Sequence, residues 1–133
     1  MKKRLLTLLV AMIMVLSLAA CGKPATVEEY YSQPVLKEAL DAQMEELKAS
    51  YEGVYSDLGY TVEGNTFGYY YQYAVQIEDV EEAKKVVAAS LTEEMMADIV
   101  ADVSAECGVT DITLKYTFYN ADGTLIYEDT YPQ

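Results

Sequence analysis

The chain has 133 residues, 22 of them acidic and nine basic, with no histidine and no tryptophan, for a net charge of −13. Histidine-dependent catalysis is thereby excluded. So is ordinary nucleic-acid binding, because affinity there comes from neutralising phosphates with cationic side chains.

The first 20 residues have a different character from the rest. Lys2, Lys3 and Arg4 form a cationic start, and Leu5 to Ala20 is an apolar run broken only by Thr7 and Ser17. At about 1.5 Å per helical residue this run is short for the roughly 30 Å of a hydrocarbon core, so it reads as a secretory signal. Leu18-Ala19-Ala20-Cys21 resembles the lipobox of bacterial lipoproteins. That resemblance implies cleavage before Cys21 and its modification with diacylglyceryl and palmitate-type acyl chains. An ordinary cleaved signal with an incidental cysteine, or an uncleaved anchor, are the competing readings. Two acyl chains hold a protein on a bilayer where one holds only marginally. The expected location is therefore the outer face of the cytoplasmic membrane, with the membrane itself as a partner through Cys21.

The domain division follows: residues 1–20 as signal peptide, 21–25 as acylated cysteine and short linker, and 26–133 as one domain. The mature part keeps all 22 acidic residues and six basic ones, a net charge of −16. Such a surface is repelled by anionic lipid headgroups, so the domain is expected to stand on its anchor. A tether this short places its work at the membrane surface.

Thr26-Val27-Glu28-Glu29 has the form of a capping box, and Pro34 restarts the helix at a position that needs no amide donor. Leu36, Leu40, Gln43/Met44, Leu47 and Tyr51 then recur every three or four residues, which predicts an amphipathic helix ending near Gly53. The period next changes to two. Leu58, Tyr60 and Val62 alternate with polar residues, Gly64-Asn65 marks a turn, and Phe67, Tyr69, Tyr71, Tyr73, Val75 and Ile77 alternate on the return, the pattern of a β-hairpin. Asp79-Val80-Glu81-Glu82 opens a second helical region that runs to Cys107. Unbroken it would be about 42 Å long, so a break is expected near Ser90-Leu91-Thr92, with Ser90 and Glu93 as a second capping box. Gly108 suits the left-handed position after a helix. Ile112, Leu114, Tyr116 and Phe118 alternate in a third strand, and Asn120-Ala121-Asp122-Gly123 turns the chain into a fourth, Thr124 to Tyr131.

The fold class expected is α+β, in the order α-β-β-α(α)-β-β, with the helices on one face of a four-stranded antiparallel sheet. Alternation alone leaves open which sheet face is buried. The mature chain resembles DUF4854, a family of small lipoproteins of Gram-positive bacteria with no established function. The likeness lies in Thr26-Val27-Glu28-Glu29-Tyr30, Glu63-Gly64-Asn65 with Tyr69, Tyr71 and Tyr73, Cys107-Gly108-Val109, and Asn120-Ala121-Asp122-Gly123. It implies a fold and brings no catalytic residues.

No Gly-rich phosphate loop, Cys/His zinc spacing or calcium loop occurs, so no cofactor, metal site or catalytic residue is expected. With Cys21 acylated, Cys107 has no partner and reads as a small buried residue at the wrong helix pole for a reactive thiol. The functional lead is tyrosine, 13 residues against two phenylalanines. Tyr70, Tyr119, Tyr127 and Tyr131 are the candidate binding residues, expected on a sheet face that the helices leave uncovered. Aromatic rings on an open face suit a protein, peptide or glycan. The reading is a non-catalytic binding or accessory module. The alternatives are an inhibitor or immunity-type envelope protein that presents a hairpin tip, or a small hydrolase built on two facing carboxylates.

Overall fold

A computed structural model describes residues 25–132. The signal segment and Cys21 lie outside those residues. Among the described residues no helix is long and apolar enough to cross a membrane.

Helix α1, Val27–Tyr31, is opened by Thr26, whose side chain accepts from the Glu29 amide at 3.0 Å. Pro34 then starts α2, Pro34–Ser50, which buries Leu36, Leu40, Gln43 and Met44. The hairpin follows as β1, Tyr55–Glu63, and β2, Thr66–Tyr73. Its turn places Gly64 at φ 57°, a conformation glycine adopts without a Cβ penalty. The turn is also where α1 docks. Glu28 N–H donates to the Gly64 carbonyl at 2.9 Å, Val27 N–H to Asn65 Oδ1 at 3.1 Å, and Gly64 N–H to Glu28 Oε2 at 2.7 Å.

The second helical region is divided into α3, Val80–Ser90, and α4, Glu93–Cys107. Asp79 caps the first by accepting from the Glu82 amide. The break falls where it was expected, but the cap of α4 is Thr92, whose side chain accepts from Met95 N–H at 3.2 Å. Ser90 instead closes α3, its hydroxyl donating back to the Val86 carbonyl. A cap needs extended backbone, and Thr92 has it at φ −72°, ψ 148° while Ser90 is still helical. Gly108 ends α4 in the left-handed conformation at φ 73°. Strands β3, Thr113–Tyr119, and β4, Leu125–Tyr131, complete the fold.

The four strands lie in sequence order, with β1/β2 and β3/β4 antiparallel. The central pair β2/β3 is parallel, in a register that runs from Thr66 opposite Thr113 to Gln72 opposite Tyr119. The sheet is therefore mixed, which corrects the all-antiparallel expectation. The reason is the connection. Residues 74–112 carry two helices, enough chain to return to the end of the sheet where β2 began. Thr113 N–H then donates to the Asn65 carbonyl at 2.9 Å, so β3 starts beside the first hairpin turn.

Register also decides which residues share a face. Val62, Tyr60 and Leu58 sit opposite Phe67, Tyr69 and Tyr71, which in turn sit opposite Leu114, Tyr116 and Phe118. This face forms a single buried cluster with Val27, Leu40 and Met44, with Val87, and with Met96, Ile99 and Val103. The four helices of the described residues thus contribute to one core.

Candidate functional site

Most of the aromatic rings stack with one another across this core. Tyr30 meets Tyr31 edge-on at 5.0 Å, Tyr31 meets Phe67 at 5.3 Å, and Phe67 meets Tyr69 at 5.0 Å. Tyr69 stacks on Tyr116 at 5.3 Å, Tyr71 lies nearly parallel to both Tyr116 and Phe118, and Tyr55 bridges Tyr71 to Tyr73 and Tyr51. Each such pair is worth about 0.5–1.5 kcal/mol beyond its buried area. The series begins under α1 and surfaces at the opposite end of the hairpin.

Where it surfaces the protein has a cleft of about 110 Å³. The floor is Tyr69, Tyr71, Tyr116 and Phe118 from β2 and β3, and one wall is Leu47 and Tyr51 at the end of α2. The other wall is Val86, Val87, Ser90 and Leu91 at the end of α3, with Met95 from α4. Tyr55 and Tyr73 complete the rim. None of the lining side chains is charged. Val86 is 56 % exposed, an apolar residue standing at the mouth with nothing over it among the described residues.

The floor carries an unmet polar group. Tyr116 is 1 % exposed and its hydroxyl has no hydrogen-bond partner. Leaving a buried hydroxyl unpaired costs about 1–3 kcal/mol. Burial pushes its pKa well up, as it does for Tyr69, Tyr71 and Tyr55, so these phenols stay protonated.

The four tyrosines marked in the sequence do not come together. Tyr70 and Tyr119 share the sheet face opposite the core, being one register step away from Tyr69, Tyr71 and Phe118. Tyr127 and Tyr131 stand opposite Phe118 and Leu114, and both pack against the core on the other face. The register of β4 contains a bulge between Phe118 and Tyr119, which shifts the alternation beyond it. Tyr70 is occupied as well. Its ring lies across Gly59 on β1, close enough that a Cβ added at Gly59 would fall 2.6 Å from the ring's Cζ.

The other chemistry-bearing groups are held structurally. Tyr30 donates to Glu106 Oε1 at 3.0 Å, and burial raises the Glu106 carboxyl to about 7 against that bond. Its hydrogen-bond partner is a phenol, whereas a two-carboxylate hydrolase needs a second acid there. Cys107 is buried, its thiol donating to the Val103 carbonyl at 3.0 Å and its pKa pushed up by burial. No group of three or more metal-ligating side chains occurs among the described residues. An open groove of about 1030 Å³ runs between α2 and β1, but its cations are already matched, Lys37 to Asp41 at 3.7 Å and Lys48 to Glu45 at 3.5 Å.

Neither hairpin tip is free. Gly64-Asn65 is held by α1, as above, and Asp122 exchanges bonds with Gln76, accepting from its amide at 3.3 Å and donating N–H to Gln76 Oε1 at 3.0 Å.

Sequence reasoning missed the cleft because its rim is drawn from three helices and two strands far apart in the chain. The local signal was the aromatic run Tyr69 to Tyr73. No curated protein and no solved structure matches the chain. The family model described as "Domain of unknown function (DUF4854)" matches residues 27–131, which include the eight elements of the described residues and every residue of the cleft, and the chain belongs to that family.

Proposed function

We propose that this protein is a non-catalytic binding or accessory module, lipid-anchored through Cys21 at the outer face of the cytoplasmic membrane, and that its ligand is held in the tyrosine-floored cleft. One observation carries the reading: an uncharged apolar cleft whose floor holds a buried hydroxyl with no partner. Ligand sites are typically of this kind, mostly apolar with a few polar groups. The signal peptide at residues 1–20 and the Leu18-Ala19-Ala20-Cys21 sequence support the address. In this reading the helices form one layer over the Phe67/Tyr69/Tyr71 face, and the face bearing Tyr70 and Tyr119 is left to a weaker, secondary contact. The inhibitor alternative loses support because both hairpin tips are tied down, and the hydrolase alternative because Glu106 is bonded to Tyr30.

The test is capture from the native envelope using the acylated full chain, alongside a Leu91→Trp variant that fills the cleft mouth and a Tyr70→Ala/Tyr119→Ala variant. The cleft reading expects Leu91→Trp to lose what the native chain retains and the double variant to keep it. Identical captured material from all three would overturn it. Cys21→Ala should move the protein from the membrane fraction to the medium, and retention on the membrane would refute the anchor.

A further inference from the structure

We propose that the cleft is the docking site of a cationic amphipathic polypeptide, one apolar side chain of which enters it while the lysine or arginine side chains beside that one meet acidic residues of α3 and α4. The inference rests on the cleft being the ligand site and adds the class of partner.

The apolar surface extends beyond the cleft. Among the described residues five large apolar side chains are at least half exposed, and three of them, Val54, Val75 and Val86, stand at this end of the molecule. Val54 and Val75 flank the Tyr55/Tyr73 rim, where Ala74 N–H donates to the Val54 carbonyl at 3.0 Å. Helix α3 buries Val87 alone, and Val86 and Ala89, three positions apart on its outer side, are exposed. Apolar surface gathered in this way marks an interaction site. The cleft itself, at about 110 Å³, is smaller than the cavity of about 150 Å³ that admits benzene. Its guest is therefore one aliphatic side chain carried by a larger partner.

Charge decides which partner. A second copy of the chain, a lipid bilayer or a different polypeptide could each cover an apolar patch. A second copy brings the same excess of 22 acidic over nine basic side chains, and an anionic bilayer also brings negative charge, so both are repelled. A cationic polypeptide is drawn in.

The acids are placed to receive it. Each helix that supplies a wall has an exposed acid within one turn of a lining residue: Glu52 follows Tyr51 at the end of α2, Glu82 precedes Val86 by four positions on α3, and Asp98 follows Met95 by three on α4. Helical residues at these spacings share a face. On α4 the acids Glu94, Asp98 and Asp102 also recur at steps of four, which sets like charges side by side and destabilises a helix. That helix has no basic residue, and none of its carboxylates forms an ion pair among the described residues. A partner's cations would relieve the repulsion. The protein's own cations near the cleft are Lys48, matched by Glu45 and Asp57 at 3.5 and 3.9 Å, Lys84, matched by Glu81 at 3.2 Å, and Lys85 beside Val86, which has no ion pair among the described residues.

The experiment titrates the mature chain bearing Cys21→Ala, so that no bilayer competes, into three labelled synthetic peptides. One has Leu and Lys in amphipathic helical order, one has every Lys replaced by Glu, and one has every Leu replaced by Ser. Fluorescence anisotropy is expected to show the Leu/Lys peptide binding about tenfold more tightly than either control and weakening as salt is raised. Leu91→Trp, which fills the mouth, should abolish that binding, and Lys85→Glu should tighten it. Glu82→Gln/Asp98→Asn/Asp102→Asn should weaken it about tenfold and flatten its salt dependence, with unchanged urea melts showing that the variants fold. Equal binding of the Leu/Lys and Leu/Glu peptides, both lost in Leu91→Trp, would overturn the cationic partner and leave the cleft itself standing. Leu/Lys binding that survives Leu91→Trp would overturn the cleft reading as well, since charge alone would then hold the peptide. Dimerisation of the mature chain that Leu91→Trp abolishes, or its binding to phosphatidylglycerol vesicles, would assign the patch to a second copy or to lipid and overturn the proposal. So would the absence of binding by all three peptides.

Discussion

Single side chains in this protein carry costs that can be measured. Glu106 is the clearest case, since its carboxyl rises to about 7 in the fold, with desolvation outweighing the Tyr30 bond. Between its ordinary range near 4.5 and about 7 the unfolded chain has lost the proton and the folded chain has kept it, so stability falls as pH rises through that window. For a half-exposed group the effect after solvent screening is on the order of 1 kcal/mol. Glu106→Gln should therefore raise the denaturation midpoint at pH 8 and leave it nearly unchanged at pH 4.5, with urea melts at the two pH values as the check. Gln43 is a second case. It is 7 % exposed with neither amide atom partnered, so Gln43→Leu should stabilise the domain by about 1 kcal/mol. A destabilised Gln43→Leu would mean that the amide is bonded after all. Gln43 was visible in the sequence as a polar residue on an apolar helical stripe, which told that it was buried. Glu106 was not visible, because nothing local distinguishes it from the other acids of α4. It is desolvated only in the fold, where it lies beside Tyr30, 76 positions away in the chain.

Elements here are joined by a few backbone clamps. Asn120, 1 % exposed, bonds the Ile77 backbone at both ends, its Nδ2 donating to the carbonyl at 2.9 Å and its Oδ1 accepting from N–H at 2.8 Å. This ties the β3–β4 turn to the chain leaving β2. Asn120→Ala would leave both backbone groups without that partner and should cost about 2–4 kcal/mol, read from chemical denaturation. Thr92→Ala should cost about 1 kcal/mol through loss of the α4 cap, while Ser90→Ala should cost less, since the Ser90 hydroxyl only bonds back to the Val86 carbonyl within α3 and caps no helix N-terminus. Equal costs for the two would contradict the placement of the break. Caps and turns were legible because their residues act on neighbours within four positions: Thr26, Asp79, Gly64, Gly108 and Gly123 all do what their types suggest. Strand direction was not. Alternation in Leu114, Tyr116 and Phe118 says which side chains share a face and is the same for a parallel or an antiparallel neighbour. The direction of β3 came from the length and path of α3 and α4.

For the whole molecule, the tyrosine-rich sequence turned out to describe mainly an interior. Nine of the 13 tyrosines and both phenylalanines take part in ring contacts that cross the core, which is why tyrosine content pointed to a surface only at the cleft where those contacts emerge. The bulge in β4 explains why Tyr127 and Tyr131 left the group with Tyr70 and Tyr119. The docking of α1 on the Gly64-Asn65 turn has a geometric consequence. Ala25, the residue nearest the proposed anchor, lies at one end of the hairpin, and the Tyr55/Tyr73 rim lies at the other, nine strand residues or about 30 Å away. On the proposed acylation of Cys21, with a tether of roughly 15 Å, the domain would be its own mast, with the opening at the masthead. A maleimide too large to enter the bilayer should then label Val86→Cys on intact cells while leaving the buried Cys107 untouched. Protection of Val86→Cys until the membrane is dissolved would mean that the mast is lying down.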